Sequence, residues 1–217
     1  MPTRPVLILL AFALLAAACS DQVGPTAAAP GLLAQKQGST PGILQQAATA
    51  PALETYRVTF MAYVGQASLV TVRYQPAAGQ TVGAPFLRFE IPKNGLVAGA
   101  SGVPLGRGDS VSMTLTIDPN SFLVDFQPSG VIFSNGSPAR LALWYGNANL
   151  DLNGNGVVLD GNDRTLVDQL AIWYQLAPSA SWFKQLSKND PTQTIIGTEL
   201  YHFSDYAVSF LDYAVSW

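Results

Sequence analysis

An all-β fold is what this sequence predicts: a single β-sandwich with one short inserted helix. Three observations predict it. Short runs rich in β-branched and aromatic residues recur from Tyr56 to Phe210, several alternating apolar with polar. Turn-forming stretches such as Pro128-Ser129-Gly130 and Asn135-Gly136-Ser137-Pro138 separate them. The chain has 217 residues, 19 Gly and 15 Pro, but one Cys, so no intrachain disulfide can form and stability must come from core burial.

The chain opens like an exported precursor. Arg4 supplies a basic start, Val6 to Ala18 is an apolar run, and Leu15-Ala16-Ala17-Ala18 leads into Cys19. A bilayer span needs roughly 20 apolar residues, more than this run has. The layout predicts a signal peptide over 1–18 and a lipidated Cys19 as the first mature residue. Ala16 stands where Leu is usual, and an ordinary Ala-x-Ala cut leaving Cys19 free is the other reading. Ser20 and Asp21 resemble the start of lipoproteins sent to a bacterial outer membrane. Residues 19–51 hold few large apolar side chains beyond Leu32, Leu33, Ile43 and Leu44. They read as a flexible membrane tether, with a brief helix over 41–50 as a variant.

The sandwich is expected over 52–217. Arg57 to Val64 and Leu69 to Tyr74 flank Gly65-Gln66-Ala67 and read as a strand pair. Phe86 to Ile91 alternates and stops at Pro92. Val111 to Ile117 alternates with a period of two and one wet face. Leu123 to Phe126, Val131 to Phe133 and Leu141 to Tyr145 add three strands. Arg164 to Tyr174 breaks the pattern, with Leu166, Val167, Leu170 and Trp173 on one helical face. That predicts an amphipathic helix inside an insertion spanning 147–175. Trp182 to Leu186, Thr194 to Ile196 and Tyr206 to Phe210 follow. Asp205-Tyr206-Ala207-Val208-Ser209-Phe210 is then repeated as Asp212-Tyr213-Ala214-Val215-Ser216-Trp217. Both cannot fill one strand position; the first is expected to pair and the second to be surplus, or the reverse.

Charged residues make up 12% and net charge is −3, with no basic patch, so nucleic acid is excluded as a partner. One His and one Cys exclude a Cys/His zinc cluster. No Gly-x-Ser-x-Gly elbow, phosphate-binding loop or dinucleotide fingerprint occurs.

Three stretches resemble the ZU-five domain, the β-sandwich module of ankyrins and netrin receptors. Phe89-Glu90-Ile91-Pro92-Lys93-Asn94-Gly95-Leu96 is similar to its early strand and turn. Val124 to Phe133 with Pro138 to Leu143 is similar to its central stretch, and Tyr201 to Val208 to its closing strand. The matches fall in order over residues 80–210 and are interrupted by the polar loop and helix. The resemblance implies a two-sheet sandwich with a structural or binding role. It also singles out His202-Phe203-Ser204, because one death-domain protein carrying this module cleaves itself at that tripeptide. By that resemblance Ser204 would be the nucleophile, His202 the base and Phe203 the acyl donor. The ordinary reading is a strand with Phe203 inward and His202 and Ser204 facing out.

The inserted loop carries the other candidate. Asp151, Asn153 and Asn155, followed by Gly156, have the spacing of a calcium loop, and a helix follows as in dockerin modules, which the loop resembles. The Val157 carbonyl, Asp160 and Asp163 complete the candidate calcium ligands. Loop position twelve is Asn162, with Asp160 early and Asp163 late, which points to weak binding in the range of about 10⁻⁴ to 10⁻³ M. The same residues also read as an Asn/Gly/Asp turn with Asp163 capping the helix. Arg107-Gly108-Asp109 reads as a glycine turn, and Asn135-Gly136-Ser137 carries little weight as a glycosylation acceptor in a bacterial lipoprotein. Trp144, Tyr145, Trp173 and Tyr174 could line a sugar site or serve as core. The sequence thus predicts no turnover: a lipid-anchored module with a protein or glycan partner, with self-cleavage and carbohydrate binding as alternatives.

Overall fold

The computed structural model describes residues 41–100 and 102–210. Cys19, the export signal, residues 19–40 of the expected tether and the second repeat copy lie outside the described residues. The strands are β1 (Gly42–Ile43), β2 (Arg57–Tyr63), β3 (Ser68–Arg73), β4 (Pro85–Ile91), β5 (Leu96–Ala98), β6 (Ser110–Ile117) and β7 (Leu123–Gln127). They continue with β8 (Ile132–Phe133), β9 (Ala139–Trp144), the helix α1 (Gly161–Asp168), β10 (Ala171–Gln175), β11 (Trp182–Lys184), β12 (Ser187–Asp190), β13 (Ile195–Leu200) and β14 (Asp205–Phe210).

Two sheets face each other, as the alternating runs predict. The first runs β11-β10-β14-β7-β6-β2, with β1 also on β14, and the second β12-β13-β9-β4-β3. β5 and β8 form a small separate pair. Alternation places Met113, Leu115 and Ile117 of β6 inward, opposite Leu87, Phe89 and Ile91 of β4 in the other sheet, all buried. Phe89 lies 5.2 Å from Phe126 and 5.6 Å from Phe203 between ring centres. Phe126 meets Tyr206 edge-on at 5.7 Å, and Phe133 meets Phe203 at 5.1 Å. Each such ring contributes about 1.5–3 kcal/mol by leaving water.

Three expectations need correction. β2 and β3 are strands, but not partners: β2 pairs with β6 in one sheet and β3 with β4 in the other. The turn at Gly65 carries the chain between layers. The helix is shorter than the run 164–174. It ends at Asp168, where the Asn189 side-chain amide donates to the Val167 carbonyl at 2.7 Å. The apolar run Ala171-Ile172-Trp173-Tyr174 is instead a strand buried on both faces, and a short continuous apolar run fits either period. Trp173 therefore stands opposite Ala207 of β14 rather than on a helical face.

The third correction concerns the tether. Residues 42–46 belong to the sandwich and form no helix. Gly42 and Ile43 pair with Phe210 and Ser209. The Leu44 N–H donates to Val208 O at 2.9 Å, and Leu44 O accepts from Phe122 N–H at 2.9 Å. The Leu44 side chain is fully buried in the core. Two apolar residues in a polar stretch suffice because β14 offers them a partly open flank beyond β7. Leu44→Ala should therefore cost about 2–5 kcal/mol in urea unfolding, where a free tether would show no change.

Candidate functional site

The segment Tyr201-His202-Phe203-Ser204 connects β13 to β14 and is clamped along residues 130–133. Phe203 N–H donates to Val131 O at 2.9 Å, Phe203 O accepts from Gly130 N–H at 3.2 Å, and Phe133 N–H donates to Tyr201 O at 2.9 Å. Phe203 points into the aromatic core, as expected. His202 and Ser204 do not face out. His202 is half-buried, its ring edge-on to Tyr174 at 5.1 Å, with Tyr206 at 6.3 Å. Ser204 is 2% exposed and its hydroxyl donates to the Gln175 carbonyl on β10. The segment is held between residues 130–133 and β10, so both of its sides are covered.

The consequences for chemistry are specific. Burial pushes the His202 imidazole below its usual range, so it is neutral at pH 7. Its Nδ1 is buried and has no hydrogen-bond partner among the described residues. The Tyr206 hydroxyl donates to the His202 carbonyl at 2.7 Å and fixes the backbone, not the ring. Ser204 is bonded to β10 rather than to His202.

Beside this segment opens a cleft of about 720 Å³. Tyr174, Tyr201, His202 and Tyr206 line it, together with Leu186, Thr198 and the charged Arg140, Lys188, Asp190 and Glu199. Tyr174 is stacked on Phe183 at 5.4 Å, which fixes its ring. Burial raises its pKa, so the phenol is a neutral donor. The Tyr201 hydroxyl donates to Glu199 at 3.0 Å. Tyr174 and Tyr206 are 5% and 1% exposed, so the half-buried Tyr201 and His202 are the rings a ligand can reach, next to carboxylate and cationic groups.

Of the aromatic candidates, Tyr174 alone reaches this cleft. Tyr145 is fully buried and donates to Asn189 at 2.8 Å. Trp173 is 4% exposed. Trp144 is half-buried and lines a smaller pocket beside Arg73 and Arg88. Tyr201, Glu199, Arg140 and Lys188 were not legible as site residues. Arg140, Lys188 and Glu199 come from β9, β12 and β13, and Tyr201 directly follows β13; sheet pairing brings the three strands together.

The inserted loop is closed by its own side chains. Asp151 accepts from Asn155 N–H at 3.0 Å and Gly156 N–H at 2.8 Å. Asn153 accepts from Asn155 N–H, and Asn155 from Val157 N–H. Gly156 has φ +84°, in the left-handed region the sharp turn requires. Asp160, not Asp163, is the helix N-cap. Its carboxylate accepts from Asn162 and Asp163 N–H, while Asp163, at the third helical position, accepts from Asp160 N–H at 3.2 Å: a reciprocal capping box. Asp163 is fully buried and also accepts from Leu152 and Asn153 N–H. The Asp163 N–H, with the side-chain amides of Asn155 and Asn153, holds the Asp160 carboxyl below its usual range. Among the described residues no three His, Cys, Asp or Glu side chains converge as a metal site. Of the expected calcium ligands, Asp163 is buried with its oxygens engaged by Leu152, Asn153 and Asp160 N–H, and the Asp151, Asn153 and Asn155 oxygens each hold a backbone N–H.

Arg107-Gly108-Asp109 is a tight turn whose Asp109 carboxylate accepts from Gly106 N–H at 2.7 Å. No known protein family, curated protein or solved structure matches this chain.

One further pair lies on β14. Asp205 stands directly opposite Asp125 of β7. Burial first, and the neighbouring Asp125 carboxylate second, raise its pKa to about 6. A raised carboxyl pKa means the fold favours the protonated form. Its contribution to stability is full below about pH 4, near the unfolded value, and is lost as pH rises through about 6. Asp205→Asn should therefore raise the melting temperature at pH 7.5 and leave it nearly unchanged near pH 4, measured by thermal circular dichroism.

Proposed function

We propose that this chain is an exported, lipid-anchored envelope protein whose β-sandwich is a binding module, with the cleft at Tyr174, Tyr201, His202 and Tyr206 as its ligand site. The cleft carries the reading. It combines the half-buried rings of Tyr201 and His202 with the charged groups of Arg140, Lys188, Asp190 and Glu199, groups that can meet a sugar's apolar face and its hydroxyl edges. Arg4, the apolar run and Cys19 support delivery to the envelope, and the ZU-five resemblance supports binding without turnover. Retention on a glycan array, weakened about tenfold or more by Tyr201→Ala, is the expected result. Binding that Tyr201→Ala leaves untouched would remove the cleft from consideration.

Self-cleavage between Phe203 and Ser204 is the second reading. The neutral His202 with its free Nδ1, and the Gly130 N–H on the Phe203 carbonyl, favour it. In that reaction Ser204 Oγ attacks the Phe203 carbonyl and passes its proton to His202. The peptide nitrogen takes that proton from His202 and leaves as the free amine of Ser204 while the ester forms, and water hydrolyses the ester to the Phe203 carboxylate and the Ser204 hydroxyl. The Gln175 carbonyl already engages the Ser204 hydroxyl, which places this second. Intact mass of the purified mature protein tests both readings at once. A diacylglyceryl group lost in Cys19→Ser, on an unbroken chain, is expected; a fragment beginning at Ser204 that vanishes in Ser204→Ala would instead establish self-cleavage.

Calcium at residues 151–163 would stiffen the same module. A cation would share or replace the bonds by which the Asp151, Asn153 and Asn155 oxygens hold backbone N–H groups. Free calcium at roughly five times the dissociation constant should stabilise the protein by about 1 kcal/mol. The shift should disappear in Asp151→Ala; calorimetry that finds no calcium effect in the unaltered protein removes the site.

A further inference from the structure

The first copy of the repeat fills the most enclosed strand position among the described residues. β14 is flanked on one side by β10 and on the other by β7 and then β1. Each of its positions makes a defined demand. Tyr206 is 1% exposed and its hydroxyl meets the His202 carbonyl. Ala207 and Val208 are fully buried, opposite Trp173 and Ile172. The Ser209 hydroxyl donates to Gly42 O at 2.7 Å. Residues 212–217 meet the same demands in the same order: Asp212, Tyr213, Ala214, Val215 and Ser216 repeat Asp205 to Ser209, and the sixth residue is Trp217 for Phe210.

We propose that this strand position has two occupants within one chain: Asp205–Phe210, which holds it in the structure, and Asp212–Trp217, which enters it by a seven-residue register exchange. Every backbone bond of the strand is remade after the exchange, because register depends on position and not on which copy is present. The side-chain faces also match, since seven residues separate the copies and each copy begins at the same position of the strand. The cost falls in two places. Residues 205–211 become a loop between Ser204 and Asp212, a modest closure penalty for so short a segment. Trp217 must also enter the space of Phe210, where a Cβ on Gly42 would already lie 2.9 Å from the Phe210 ring. Both costs favour the first copy, in agreement with its place in the structure. The second copy is a spare strand tethered next to its own binding position, so local opening of β14 is answered by replacement rather than by loss of the sheet.

Two measurements on the full chain test this. Val208→Asp places a charge at a fully buried position. It should lower the melting temperature but keep a cooperative transition, because Val215 replaces Val208. Val215→Asp alone should leave the transition unchanged, and the double variant should show none. Size-exclusion chromatography should report Val208→Asp as a monomer. In the second measurement, Ala171→Cys and Ser216→Cys are combined with Cys19→Ser. Ala171 stands opposite Ser209, the residue that Ser216 replaces after the exchange. The two introduced thiols therefore meet only in the exchanged register, and oxidation should close an intrachain disulfide between positions 171 and 216. The proposal requires both results. It is overturned if Val208→Asp unfolds as fully as the double variant, if that variant assembles into dimers or larger species, or if the intrachain disulfide does not form.

Discussion

The structure depends on enclosing β14. No intrachain disulfide is available, and charged pairs among the described residues are few and exposed: Arg88 lies 3.2 Å from Glu90 with more than half of its side chain in water. Stability must therefore come from two sheets closing on an aromatic core, and β14 is where the closure is made. It is buried from Tyr206 to Phe210, and three separate parts of the chain hydrogen-bond to it: β10, β7 and β1. The same strand fixes the cleft, because Tyr206 holds the His202 backbone and packs against the rings around it. Core, site and N-terminal docking are thus one piece of physics.

The fold class was legible because amphipathic strands advertise themselves by alternation. Val111 to Ile117 has one buried face, Phe86 to Ile91 has one from Leu87 onward with Phe86 buried as well, and both became strands close to the limits their patterns set. Where that signal is missing, reading failed for identifiable reasons. β10 is buried on both faces, so its four apolar residues carry no period that separates strand from helix. Residues 42–46 were invisible because two apolar side chains in a polar stretch count for little until a partner strand exists. The link at Gly65 was read as a hairpin because sequence shows that a chain reverses, and not whether it returns to the same sheet.

The site was legible only in fragments. His202, Phe203 and Ser204 attracted attention through a resemblance, and Tyr174 through its aromatic character. Glu199, Arg140 and Lys188 are ordinary strand residues in sequence, Tyr201 follows β13, and they become a cleft only after β9, β12 and β13 pair. The inserted loop is the opposite case. Its Asx spacing and capping residues are local, so sequence indicated a turn leading into a helix. What it did not indicate was the division of labour between the two acids, with Asp160 at the cap and Asp163 fully buried beneath the loop.

The two-residue strand β1 has a mechanical consequence. Any pull transmitted along residues 19–40 would reach the domain at Gly42, alongside its central strand rather than at an outer edge. Only Gly42, Ile43 and the Leu44 backbone grip β14 there. Beyond them the buried Leu44 side chain, and the backbone bonds of Gln45, Gln46 and Ala47 to Asn149, Asn120 and Asn147, pass such a load straight to the core.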